Sequence, residues 1–197
     1  YVSKDGKQIL RKHVIPKDPK TPKQLAYRMR FGMVNKSLSP LNRVIKKGFL
    51  NTDNAYRKAV SKALNNAVIG EYPEYKLDYS KIQVAEGKLQ LPTFVSVNVD
   101  SNTKLATVNW NPEPIFDNYP GREDDRVNIV CLNESTPEAV CFYNNAKRSK
   151  GTATIDLSSK MVINKLWSIK DLHFWLYLST YDITQNSDSI YIKCSEK

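Results

Sequence analysis

Apolar residues follow two different rhythms along this chain. From about residue 22 to 69 they recur at helical spacing, and from about 93 onward they alternate in short runs. The first rhythm opens on Thr21-Pro22-Lys23-Gln24, which predicts a capped helix start: the Thr21 hydroxyl on the Gln24 amide, and the Gln24 side chain on the Thr21 amide. A helix is expected from there to about Leu38, with Tyr27, Phe31, Val34 and Leu38 on one stripe and Met29 and Met33 on its flank. Arg30 falls inside the apolar arc, so it requires a carboxylate or carbonyl partner. Ser39-Pro40 predicts a second, capped helix through Phe49, with Leu41, Val44, Ile45 and Phe49 inward. A third is expected over 53–69, with Tyr56, Val60, Ala63, Leu64 and Ala67 on its buried side and Gly70 as its left-handed terminator. Ahead of these, Asp5-Gly6 marks a hairpin or loose arm over residues 1–15.

The second rhythm predicts strands at 94–99, 105–110, 127–132, 139–143, 152–157, 172–181 and 189–194, after a hairpin formed by 82–85 and 88–91 around Glu86-Gly87. In the sixth of these, Phe174, Leu176 and Leu178 face one way and Trp175 and Tyr177 the other, while Trp110 reads as a core plug. Seven short strands in about a hundred residues have the rhythm of an immunoglobulin-like or fibronectin-III-like sandwich. The expected fold is therefore α+β. A helical region of about three helices spans 1–80, a connection spans 81–92, and an all-β sandwich spans 93–197.

Charge sharpens this division. Residues 1–80 carry 17 Lys and Arg against 6 Asp and Glu, whereas residues 81–197 carry 13 against 14. The excess cation of the front half favours an acidic partner, and Arg43, Lys46, Lys47, Arg57, Lys58 and Lys62 are the candidate anion-binding residues on the outer helix faces. A solvated basic face that serves only solubility is the competing reading.

The search for chemistry finds little. There is no nucleophile elbow, P-loop, dinucleotide-binding glycine motif or paired-histidine zinc helix, and seven glycines leave little material for a phosphate cradle. His13 lies in the arm, and His173 sits among aromatic strand residues as a half-buried sheet residue. Glu123, Asp124 and Asp125 read as a solvated acidic loop. Cys131 and Cys141 flank a short turn and are either a disulfide in an oxidising compartment or two thiols in a reducing one. The odd total of three cysteines fits a reducing compartment, with the cytoplasm slightly favoured, or a secreted protein with one leftover thiol. The chain starts at Tyr1 without a visible leader, which reads as a fragment or a processed product. No apolar run is long enough to span a membrane. No catalytic set, cofactor or metal site is nominated, and the expectation is a non-enzyme.

Three stretches carry a resemblance. "KDPKTPKQLAYRMRF" over Lys17–Phe31 is similar to the N-P-x-T-x-x-Q-x-x-x-R-x-R-F pattern of a Bacteroidota family catalogued as a domain of unknown function. Thr21, Gln24, Arg28, Arg30 and Phe31 match, and Asp18 stands where the family has Asn. "LSPLNRVIKKGF", followed by "ALNNAVIGEYPEYKLDYSKIQVAEGKL", is the second stretch. The third is the tail, "RSKGTATIDL" and "SDSIYIKC", with Lys150 and Asp188 departing from the pattern. The resemblance implies a helical region joined to a β-sandwich and brings no activity. The resulting expectation is an interaction or assembly module with a protein partner or self-association. The alternative is nucleic-acid binding through the basic half.

Overall fold

The computed structural model describes residues 18–158 and 168–196, apart from 51, 117, 119 and 137, together with the backbone of 2–4 and 7–9. At the front, β1 (Val2–Lys4) and β2 (Lys7–Ile9) pair antiparallel. The Asp5-Gly6 turn between them and His13 lie outside the described residues. Helix α1 (Pro22–Leu38) begins with the expected reciprocal cap: the Gln24 amide donates to Thr21 Oγ1 at 3.4 Å, and the Thr21 amide donates to Gln24 Oε1 at 3.2 Å. Thr21→Ala is expected to cost about 1 kcal/mol, read as faster amide exchange in the first turn with the rest of the chain unchanged.

The expected region of about three helices is corrected to two substantial ones, with a short helical segment between them. Ser39 keeps right-handed helical angles, so it does not cap a new helix. The chain passes through a 3-10 turn (Ser39–Leu41) into the seven-residue α2 (Asn42–Gly48). Helix α3 (Ala55–Asn66) stops earlier than its apolar spacing predicts. Val68–Ile69 (β3) turns back to pair with Lys76–Leu77 (β4). Gly70 is left-handed at φ 86°, but in that hairpin and not as a helix terminator. The backbone competes better for hydrogen bonds there as a strand pair than as a fraying helix end.

The remaining strands form two four-stranded sheets. One runs β11 (Ile190–Ile192), β10 (Leu172–Ser179), β7 (Arg126–Asn133), β8 (Glu138–Lys147). The other runs β12 (Cys194–Glu196), β5 (Thr93–Val99), β6 (Leu105–Asn111), β9 (Thr152–Asp156). The expected last strand is split: its first part pairs antiparallel with β10, and its second crosses to pair parallel with β5. The hairpin expected over 82–91 does not form. Instead the Glu86 amide donates to the Gly48 carbonyl and the Leu89 amide to that of Asn186, so this segment threads between α2 and the loop before β11.

Alternation along β7 and β10 then builds three layers. Ile129, Cys131, Phe174, Leu176 and Leu178 face the opposite sheet in one apolar core that includes Trp110. Val130, Leu132, Trp175 and Tyr177 face outward, where Val34, Leu38, Leu41, Ile45, Val60 and Ala63 of the helices cover them in a second core. A buried polar relay bolts the layers together. Asn128 Nδ2 donates to Ser179 Oγ at 2.8 Å, Ser179 Oγ donates to Asn186 Oδ1 at 2.8 Å, and Asn186 Nδ2 donates to the Lys47 and Gly48 carbonyls at 3.0 and 2.8 Å. Those carbonyls belong to the end of α2, where the helix itself offers no donors. Close approach here demands glycine: a Cβ on Gly87 would lie 1.8 Å from the Asn186 oxygen.

Candidate functional site

The front half of α1 is where the structure departs most from the helical stripe. At about 100° per residue, Tyr27 and Phe31 belong to the same stripe as Val34 and Leu38. Val34 and Leu38 are fully buried, but Tyr27 is 61% exposed and Phe31 46%. The core-facing stripe thus runs on past the edge of the body it is built to cover. Leu25 and Met29 are also exposed, on another side of the helix.

Several contacts hold this projecting segment in shape. Asp18 clamps Arg28 through two hydrogen bonds of 2.6 and 2.9 Å, which holds the Asp18 carboxyl below and the Arg28 guanidinium above their ordinary values. Arg30 meets its requirement for a carbonyl: Nη2 donates to the Leu64 oxygen at 2.9 Å, near the end of α3, while its guanidinium lies 5.7 Å from the Tyr75 ring centre. Its Nε is buried with no hydrogen-bond partner among the described residues. Between α1 and Tyr75 runs a groove of about 500 Å³, with Ala26, Tyr27 and Tyr75 in its walls and Lys23, Arg28 and Arg30 as its charged lining. Of the motif residues, Thr21 and Gln24 form the cap, Arg28 and Arg30 brace the helix, and Phe31 is left 46% exposed.

The six candidate anion-binding cations are not one cluster of equals. Lys58 and Lys62 both reach Glu86 Oε2, at 2.8 and 3.2 Å, and Lys62 also donates to Gln83 Oε1 at 2.8 Å. Burial pushes the Glu86 carboxyl upward, but the two ammonium groups outweigh it and hold the group below its ordinary value. Lys47 lies 4.3 Å from the centre of the Tyr143 ring. Arg43, Lys46 and Arg57 are exposed and make no ion pair among the described residues. Nothing in the local sequence around Glu86 or Tyr143 signalled these partnerships.

The groups that could do chemistry are engaged elsewhere. His173 stacks on Tyr79 with ring centres 3.9 Å apart, its Nδ1 is 3.0 Å from Tyr191 Oη, and its Nε2 is 3.2 Å from Glu134 Oε2. Burial lowers the imidazole from its ordinary 6.5, against the opposing pull of Glu134. The unfolded chain therefore takes up that proton first. The stability His173 contributes is full above about pH 6.5 and is lost as the pH falls from there toward the lower folded value. Urea midpoints are expected to drop more steeply below about pH 6.5 for the native chain than for His173→Gln.

The two strand cysteines are not bonded. Val130 pairs with Cys141 and Cys131 with Val140, so the thiols stand on opposite faces of the sheet. Burial raises both, Cys141 to about 12. The acidic trio also needs correction, because Asp125 is buried, with Oδ2 accepting from the Arg122 amide at 2.8 Å. Burial raises its carboxyl. Arg148, which opens the RSKG stretch of the resemblance, carries no sequence expectation of burial, yet it is 1% exposed and donates through Nη1 to the Gln90 carbonyl and through Nη2 to that of Glu113 at 3.4 Å. Its own carbonyl accepts from Trp110 Nε1 at 2.7 Å. Among the described residues no three His, Cys, Asp or Glu side chains gather as a metal site, and no helix is long and apolar enough to cross a membrane.

The class defined by this architecture is a two-sheet β-sandwich that carries a basic helical layer on one face. Residues 3–193 match the model of a family of unknown function, DUF6266, and the chain belongs to that family. No curated protein matches it. Among solved structures it is similar to an Fn3-like protein from Clostridium thermocellum, at 12% identity over 56% of this chain and 97% of that one, with a TM-score of 0.34. It is also similar to the chicken CNTN1 FN1-FN3 domains, at 13% identity over 55% of this chain and 34% of that one, with a TM-score of 0.28.

Proposed function

We propose that the chain is a non-enzymatic interaction module, in which the sandwich serves as scaffold and the basic front, residues 1–80, binds another macromolecule through α1. The bare half of the α1 stripe carries this reading. Fully burying one large apolar side chain contributes about 1.5–3 kcal/mol, and Tyr27 and Phe31 leave roughly half of that unused in the isolated chain. A helix whose inward stripe is half covered by its own body is built as a handle for something else. The engaged state of His173 and the burial of Cys131 and Cys141 are in keeping with a binding role.

Serine substitutions at 31 and 34 test it. Val34→Ser, inside the covered half, is expected to lower the melting temperature by about 5–10 °C. Phe31→Ser is expected to lower it by no more than about 4 °C while abolishing capture of partners by a photo-crosslinker placed at position 27. Equal destabilisation by the two substitutions would make the stripe purely structural and end the proposal.

A further inference from the structure

Resting on that reading, we infer that the groove between α1 and Tyr75 takes an acidic protein segment carrying an aromatic or aliphatic anchor residue. The anchor end follows from the walls: Ala26, Tyr27 and Tyr75 offer an apolar slot, continuous along the helix with the exposed Phe31. The acidic end follows from the lining, where the charged residues among those described are Lys23, Arg28 and Arg30. Asp18 pairs with both terminal nitrogens of Arg28, whereas Lys23 and Arg30 make no ion pair among the described residues. The unpaired charges of this lining, Lys23 and Arg30, are both positive.

Charge also sorts the competing occupants. The chain's own arm, residues 1–17, carries five Lys and Arg against one Asp and would bring cation to cation. A second copy docking through the same helices would bring a surface in which residues 22–66 hold ten Lys and Arg against Asp53 alone. A lipid surface is flat, whereas the groove is concave. Leu25 and Met29 sit about 160° round the helix from Tyr27 and Phe31, so a plane covers one pair and leaves the other bare. Nucleic acid would satisfy the cations but brings no aliphatic side chain to the slot between Ala26, Tyr27 and Tyr75. An acidic peptide with an apolar anchor satisfies both demands, as in helix-and-groove recognition generally.

The full chain tests this by panning a random displayed peptide library on it, with the double variant Tyr27→Ser, Phe31→Ser as counter-selection. The expected winners have an excess of Asp and Glu around an aromatic residue or leucine. Their affinity is expected to fall about tenfold on Lys23→Glu and to weaken with added salt. Neutral or basic winners that still need Tyr27 and Phe31 would overturn the acidic assignment and leave the interaction reading standing. Winners indifferent to those residues, or none at all, would overturn both. Binding of a single-stranded oligonucleotide, or of vesicles of equal parts phosphatidylserine and phosphatidylcholine, more tightly than the best peptide and dependent on Phe31 would transfer the groove to that partner and end the inference.

Discussion

Arg148→Met is expected to lower the melting temperature by roughly 10 °C, the product of about 3 kcal/mol and the 2–4 °C per kcal/mol typical of a chain this long. The guanidinium is sealed from solvent and forks onto the Gln90 and Glu113 carbonyls, tying the segment before β5 to the loop after β6. Methionine fills much of the space but leaves the buried Gln90 carbonyl without this donor, at about 1–3 kcal/mol, and the part-buried Glu113 carbonyl at less. Relief of the burial that depresses the arginine offsets part of that loss. Arg148→Lys is expected to recover less than half, because one ammonium cannot reproduce the planar fork. Thermal denaturation of both variants is the measurement. A methionine variant within about 2 °C of the native chain would mean that the carbonyls find other partners.

Trp175→Ala should be the costliest single change in the helical layer, at about 3–5 kcal/mol. The indole is fully buried on the outer face of β10, edge-on to Tyr191 at 5.6 Å, and its Nε1 donates to the Ile82 carbonyl at 3.0 Å. It is the largest side chain on the floor that the helices cover. Trp175→Phe keeps most of the apolar area and isolates the hydrogen bond, so its expected cost is about 1–2 kcal/mol. Urea unfolding followed by far-UV and near-UV circular dichroism separates the two contributions. If alanine costs no more than phenylalanine, the helical layer is not held by this contact.

Much of the sandwich was legible because strand alternation is a local consequence of having two faces. Phe174, Leu176 and Leu178 against Trp175 and Tyr177 predicted both sides of β10 correctly, and the starts and ends of β5, β6, β7 and β9 fall within a residue or so of their apolar limits. The α1 cap was equally legible, since Thr21 and Gln24 interact across a single turn. What alternation does not encode is which strand lies alongside which. The final apolar run therefore read as one strand, although Lys193 marks the point where it leaves β10 for β5. The 82–91 hairpin failed for the same reason: Asn186 and Gly48, distant in sequence, offered better hydrogen-bond partners than the two arms offered each other.

The candidate site divides along the same line. The sequence by itself determined the capped, cationic α1, its apolar stripe, the charge imbalance between front and rear, and the two faces of β10, because each depends on residues within a few turns or a few pleats of one another. Only the tertiary structure decided that the stripe outruns its floor at Phe31, that Glu86 claims Lys58 and Lys62, that Asp125 and Arg148 are buried, and that Cys131 and Cys141 turn their backs on each other. Those outcomes depend on where separate segments come to rest, and burial is a property of the whole packed chain, absent from any single stretch of it.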